Sequence, residues 1–180
     1  MRASAVGRSL LVAVVALGAM RAAAAPVSIF DLPVTLADES GVPVRFDQWR
    51  GRRLAVAMGY TKCQRVCPVF TLNIMRELEA RARDASPPLE LVMVTLDPKT
   101  DTPAVLAAYK DRHGLVSPHW HFLTGAMSEI ERVAHALDAP FLAVDDHIRH
   151  RLTVVVFAPT GEVDRVYDWD HRDVDPAPPH

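Results

Sequence analysis

The sequence predicts an α/β fold in which helices flank a mixed central sheet, with a β-hairpin at the N-terminal end. A continuous apolar run at residues 54–58 and a largely apolar run at residues 89–96 are typical of buried strands. Amphipathic segments follow these runs, so strand and helix alternate along the chain as in α/β proteins. The chain has 180 residues, a length that predicts one domain with short appendages.

The first half of the chain predicts a hairpin, a strand and a helix. Two β-rich pieces, 34–36 and 42–46, flank acidic, turn-forming residues and predict the hairpin. The buried strand at 54–58 follows. Pro68 then suits the first turn of a helix. The apolar positions of that helix recur every four residues: Phe70, Ile74, Leu78 and Ala82.

The second half continues the alternation and closes with a hairpin. After the strand at 89–96, Thr102 is expected to cap a helix that begins at Pro103 and runs toward Gly114. A short strand is predicted at 120–123, and Ser128 with Glu131 forms a capping box for a third helix. The runs 152–157 and 163–167, joined by a Pro-Thr-Gly turn, predict the closing hairpin.

Residues 1–24 have the pattern of a cleavable signal peptide. Arg2 and Arg8 precede an uncharged apolar run, and an alanine-rich segment follows before Pro26. The apolar run is well short of the roughly 20 residues that a membrane-spanning helix needs, so a retained anchor is the less favoured interpretation. The pattern predicts a periplasmic or otherwise exported domain at 25–172 with a Pro-rich flexible tail at 173–180.

The charge balance argues against an electrostatic nucleic-acid-binding protein. The chain has 20 basic and 22 acidic residues. Every charged residue of the predicted leader is an arginine, so the exported domain is more acidic than the full chain. An anionic domain repels the phosphate backbone of nucleic acids.

The two cysteines of the chain, Cys63 and Cys67, lie between a predicted buried strand and the helix predicted to begin at Pro68. Backbone N–H groups at a helix start favour the thiolate, which is both a nucleophile and a ligand for soft metals. Thiol–disulfide exchange and binding of Cu(I) or Zn(II) are therefore both open. A purely structural disulfide is less favoured, because so short a loop gains only about 2 kcal/mol.

Residues 59–68, Gly-Tyr-Thr-Lys-Cys-Gln-Arg-Val-Cys-Pro, resemble the Y-T-x-C-x-x-x-C-P copper motif of the SCO/SenC proteins. Residues 96–103 are similar to the D-P-x-x-D-T-P segment of that family, and Phe122-Leu123-Thr124-Gly125 continues the similarity. The resemblance covers residues 30–167. It implies a thioredoxin-like fold and a metallochaperone that metallates or reduces the binuclear copper site of cytochrome c oxidase subunit II.

The resemblance also implies the copper ligands, Cys63, Cys67 and one distant histidine. Two thiolates suit Cu(I), and an added imidazole gives a site that also holds Cu(II). In the family the histidine stands just before a strand that ends in a P-x-G turn, and counting back from Pro159 places His150 there. His147 is the competing candidate, because Asp146-His147 copies a local Asp-His pair of the family.

Other residues near these motifs have less specific interpretations. His119 and His121 share one strand face and are expected to be structural or incidental. Asp97 is expected either to hydrogen-bond near the copper site or to cap its loop. Tyr60 is expected to shield the sulfur atoms. Gln64 departs from the family, which commonly has proline at that position. A predicted cleavable leader stands in place of the family's membrane anchor, and the usual C-terminal helix is missing or replaced by the Pro-rich tail. Both differences argue against membrane tethering beside the oxidase.

An enzymatic alternative uses the same two cysteines. In a thioredoxin-like thiol–disulfide oxidoreductase acting on exported proteins or on the oxidase copper-site cysteines, Cys63 attacks a disulfide and Cys67 resolves it. A thiol peroxidase is disfavoured, because Tyr60 and Gln64 occupy the positions that need Thr or Ser. The four-residue offset of the cysteines and the presence of the histidine favour copper binding over thiol–disulfide exchange. The expected partners are a copper donor protein and the oxidase subunit or another extracytoplasmic cuproprotein.

Overall fold

The computed structural model describes residues 28–63, 66–145 and 147–168, without the side chains of residues 66–69. The leader predicted at 1–24 and the tail predicted at 173–180 lie outside the described residues, so both stay predictions. Within the described part, no helix combines the length and apolar character needed to cross a membrane.

A mixed sheet of five strands in the order β5-β4-β3-β8-β9 forms the centre of the described fold. The strands are β3 (Leu54–Gly59), β4 (Glu90–Thr95), β5 (Trp120–Leu123), β8 (Thr153–Phe157) and β9 (Val163–Asp168). The first three run parallel, and β8 and β9 run antiparallel to their neighbours. Every residue of β3, β4 and β8 is buried, which explains their apolar composition. The predicted α/β class with a mixed sheet is confirmed.

Helices cover both faces of this sheet: α1 (Val66–Arg81), α2 (Pro103–Arg112) and α3 (Met127–Ala136). On one face, the small side chains of Ala55 and Ala57 pack in a core with residues of α1 and α2. On the other face, Val56 packs in a second core with residues of α3 and of the 3-10 helices Ile29–Asp31 and Phe46–Trp49.

The helix starts agree with the sequence in one case and differ in two. Thr102 caps α2 as predicted, its Oγ1 accepting from the Val105 N–H at 3.4 Å. The capping box predicted at Ser128 is wrong: the Ala126 carbonyl accepts the first helical hydrogen bonds, so Ser128 lies inside α3. Helix α1 begins at Val66, so Cys67 lies within its first turn, ahead of Pro68.

Two small hairpins complete the described fold. The predicted N-terminal hairpin is present, with short strands β1 (Leu36–Ala37) and β2 (Pro43–Val44) around a turn in which Gly41 has φ +80°. A two-stranded antiparallel ribbon, β6 (Phe141–Val144) and β7 (His147–His150), was not predicted. This ribbon leads directly into β8 and carries both candidate histidines.

Candidate metal centre

Cys63 closes a tight turn at the carboxyl end of β3. The Cys63 N–H donates to the Tyr60 carbonyl at 3.2 Å, which defines a four-residue turn, Tyr60-Thr61-Lys62-Cys63. The Cys63 side chain is half-buried and forms no disulfide with the described residues. The side chain of Cys67 lies outside the described part of the chain, so its distance from Cys63 stays unassigned.

The buried carboxylate of Asp101 holds this turn in place through hydrogen bonds. Asp101 is fully buried, and its two oxygens accept three hydrogen bonds. Oδ2 accepts from the Thr61 N–H at 3.0 Å and from the Thr95 hydroxyl at 2.6 Å. Oδ1 accepts from the Thr61 hydroxyl at 2.5 Å. The turn that carries Cys63 is therefore attached to the ends of both β3 and β4.

His150 has a ring nitrogen without a partner. Its Nδ1 lies 3.1 Å from the Arg151 carbonyl, so Nδ1 carries the hydrogen and Nε2 carries the lone pair. Nε2 is buried and accepts no hydrogen bond from any described group. Burial lowers the pKa of His150, and the bond to the Arg151 carbonyl offsets this only in part. The ring is therefore neutral at pH 7 and its lone pair is available to a metal.

Tyr60 connects the cysteine turn to the histidine ribbon. Its hydroxyl oxygen accepts a hydrogen bond from the Ile148 N–H at 3.3 Å. Its ring meets the His150 ring edge-on, with centroids 6.1 Å apart and an interplanar angle of 73°. The first residue of the turn thus contacts the strand that bears His150. The predicted shielding of the sulfur atoms by Tyr60 stays a prediction.

The alternation of β7 separates the two candidate histidines. Ile148 and His150 are half-buried, whereas His147 and Arg149 are exposed. Successive residues of a strand point to opposite faces, so His147 lies on the face away from Tyr60. This alternation favours His150 over His147 as the residue that faces the cysteine turn.

The described side chains do not by themselves form a complete metal site. In residues 28–63, 66–145 and 147–168, no three His, Cys, Asp or Glu side chains converge closely enough to hold a metal ion. Of the predicted ligands, Cys63 and His150 lie on segments joined through Tyr60, and the Cys67 side chain is not described. A half-buried thiol and an unpaired buried imidazole nitrogen nevertheless fit the donor set that Cu(I) prefers.

Asp97 caps its loop, which was one of its two predicted roles. Its Oδ1 accepts from the Thr100 N–H at 3.3 Å, and its carbonyl accepts from the Asp101 N–H at 2.8 Å. The cap orients the loop so that Asp101 reaches the Cys63 turn. The contacts of Asp101 were not predicted from the sequence; the available signal was a second acidic residue, six positions beyond the end of β4 and directly before the helix cap Thr102.

A second polar cluster lies at the amino end of the sheet, away from Cys63. Glu90 is buried; its carboxylate lies 2.8 Å from His121 Nε2 and 3.5 Å from His119 Nδ1, and accepts from Arg52 at 2.6 Å. Burial alone would raise the pKa of Glu90, but hydrogen bonds from His121 and Arg52 more than offset it and hold the pKa below its ordinary value. These contacts agree with the structural role expected for both histidines.

Comparison with known proteins relates the chain to a family of copper-binding proteins. Residues 22–176 match the model of the SCO1/SenC family. A Stutzerimonas stutzeri protein named for copper binding is 31% identical over 139 residues, covering 71% of this chain and 64% of that protein. The chain spans about half the length of several other curated relatives.

Solved structures agree with the fold described above. Bradyrhizobium japonicum ScoI with copper bound is 25% identical, with a TM-score of 0.62 over 74% of this chain and 86% of that one. BsSco, described as a member of the Sco family of cytochrome c oxidase assembly proteins and as having a disulfide switch, is 23% identical, with a TM-score of 0.67 over 80% and 85%. The thioredoxin-like fold implied by the sequence motifs is confirmed.

Proposed function

The chain belongs to the SCO1/SenC family, and we propose on that basis that it is an extracytoplasmic copper metallochaperone for the binuclear copper site of cytochrome c oxidase. Membership of the family and the names of copper-binding relatives support copper as the cargo. The description of BsSco as an oxidase assembly protein supports the oxidase as the destination.

The proposed copper ligands are Cys63, Cys67 and His150. The single observation that carries the assignment is the buried Nε2 of His150, which accepts no hydrogen bond from the described residues although Nδ1 is bonded. A buried acceptor without a partner costs about 1–3 kcal/mol, a cost that a bound metal would remove. The position of Cys63 on the turn that Tyr60 joins to the His150 strand supports the same set.

The proposed donor set suits a copper ion that must be passed on to another protein. Two thiolates stabilise Cu(I), and the imidazole allows the site to retain copper on oxidation. The half-exposure of Cys63 leaves one thiol open to an incoming ligand, so copper passes from a donor protein and onward to oxidase subunit II, or to another extracytoplasmic cuproprotein, by stepwise exchange.

Copper titration of the reduced chain tests the proposal. We expect one copper per chain and, for Cu(II), a thiolate-to-copper absorption band together with a spin resonance signal. Cys63→Ala and Cys67→Ala should each abolish the band and weaken binding at least about tenfold. Wild-type affinity in both cysteine variants would contradict the assignment.

A thiol–disulfide oxidoreductase is the second candidate function. The half-exposed thiol of Cys63, beside the first turn of α1, favours it, with Cys67 as the resolving residue. Here His150 is dispensable. A disulfide-reduction assay on the same samples separates the two: His150→Ala retains full reductase rate if thiol exchange is the function, and loses copper if chaperoning is.

A further inference from the structure

We propose that Asp101 is a positioning residue for Cys63: its carboxylate sets the orientation of the turn from which the Cys63 thiol reaches copper. The inference rests on the proposed function, because the position of Cys63 matters to copper only if Cys63 is a ligand. Asp101 is six sequence positions beyond the end of β4 and distant in sequence from Cys63, so the link is purely spatial.

Two of the three hydrogen bonds that Asp101 accepts come from the turn. Thr61, the second residue of the turn, donates both its main-chain N–H and its hydroxyl to the carboxylate. Two bonds to one residue fix its orientation as well as its position. Since the Cys63 N–H closes the same turn on Tyr60, Cys63 lies two residues from a doubly held point.

The third hydrogen bond that Asp101 accepts connects the Cys63 turn to the sheet. The Thr95 hydroxyl donates to Asp101 Oδ2 and accepts from the Asp97 N–H at 3.0 Å. The carboxylate is therefore held against the last residue of β4, which is paired with Gly59 at the end of β3. Because sites held by strands are positioned more precisely than sites on loops, the sheet serves as the fixed reference for the turn.

The electrostatic surroundings place Asp101 and Cys63 in one neighbourhood. Burial raises the pKa of Tyr109 to about 12, with smaller contributions from the negative charges of Cys63 and Asp101. Tyr109, on α2, thus lies close enough to sense both groups. A fully buried carboxylate is costly unless it is well hydrogen-bonded, and here the bonds that offset this cost are those that hold the Cys63 turn.

The test compares Asp101→Asn, Asp101→Ala and Thr61→Val with two controls. Thr61→Ser retains both donors of Thr61 and serves as the conservative rescue. Glu90→Gln alters another buried carboxylate at the opposite end of the sheet and serves as the control for general destabilisation. Denaturant unfolding shows which variants fold; if Asp101→Ala does not, Asp101→Asn and Thr61→Val carry the test.

Two readouts are measured for each variant. The first is the rate at which iodoacetamide alkylates Cys63 in metal-free chains that also carry Cys67→Ser. The second is copper affinity and the thiolate-to-copper band in chains with both cysteines. We expect the Asp101 variants and Thr61→Val to change the alkylation rate severalfold and to weaken copper binding about tenfold, whereas Thr61→Ser and Glu90→Gln match the wild type.

The outcomes separate this inference from the proposed function. If the wild type binds no copper, the proposed function fails, and the alkylation rates alone decide whether Asp101 positions Cys63. Wild-type alkylation and copper spectra in folded Asp101→Asn and Thr61→Val chains would overturn the inference. Equal changes in Glu90→Gln would also overturn it, because the effect would then be general destabilisation.

Discussion

At the scale of single residues, the candidate site combines the His150 imidazole, whose Nε2 accepts no hydrogen bond from the described residues, with the Asp101 carboxylate, which accepts three. His150 Nε2 is buried without a hydrogen bond from described groups, whereas Asp101 is buried with every bond directed at its loop and strand neighbours. Buried polar groups are normally satisfied, so an exception indicates either strain or a missing ligand. We interpret His150 as prepared for copper and Asp101 as part of the support.

The unpaired Nε2 predicts an unusual stability effect. Replacing His150 with Leu removes a buried unsatisfied acceptor and one bond to the Arg151 carbonyl. These changes oppose each other, so the free energy of unfolding of the metal-free chain should stay within about 1 kcal/mol of wild type. Urea unfolding of the apo protein measures this. A loss well above 2 kcal/mol would indicate that the histidine serves the fold instead.

At the scale of elements, the buried strands and the helices were predictable from sequence and the β6–β7 ribbon was not. The runs in β3, β4 and β8 are continuous because both faces are covered. In the ribbon, Leu142 and Val144 are exposed, so no apolar alternation marks it. His150 pairs with Phe141 across the ribbon. The apolar pattern of one strand does not specify its register against its partner, so this pairing could not be predicted from the sequence.

The contribution of Tyr60 belongs to the same scale, because it joins two elements. Tyr60→Phe keeps the ring against His150 but removes the oxygen that accepts from the Ile148 N–H. The ribbon should detach more often, at a cost of about 1 kcal/mol. Hydrogen exchange at the Ile148 amide should accelerate about fivefold or more, with amides of β4 unchanged as the internal control. Unchanged exchange at Ile148 would show that Tyr60 does not hold the ribbon.

At the scale of the whole molecule, the sheet separates the end that carries the proposed copper site from the end that carries the Glu90 cluster. The carboxyl ends of the parallel strands lead into the Cys63 turn and the Asp101 loop, as in other α/β proteins. The amino ends carry Glu90 with Arg52, His119 and His121. The sequence motifs predicted that the candidate copper ligands lie near the Cys63 turn. The contacts of Glu90 with residues distant in sequence depend on the order of the strands, so they were not predictable from one sequence.

The Glu90 cluster predicts an acid-sensitive stability that is independent of copper. The pKa of Glu90 is lowered in the folded chain, so its stabilisation is present above the pKa of a glutamate in the unfolded chain and is lost as pH falls through the lowered folded-state pKa. Glu90→Gln should therefore cost about 1–3 kcal/mol at pH 7 and less at pH 3. Urea unfolding at both pH values measures the difference, and a gap that stays constant would contradict the prediction.

The central claim is that the turn bearing Cys63 and the ribbon bearing His150 together hold copper. The most direct measurement is the copper affinity of His150→Ala beside that of His147→Ala, two substitutions three residues apart on the same strand. We predict that His150→Ala weakens binding at least about tenfold and loses the nitrogen coupling in the Cu(II) spin resonance spectrum, while His147→Ala leaves both unchanged. The reverse result, or two unchanged variants, would contradict the account.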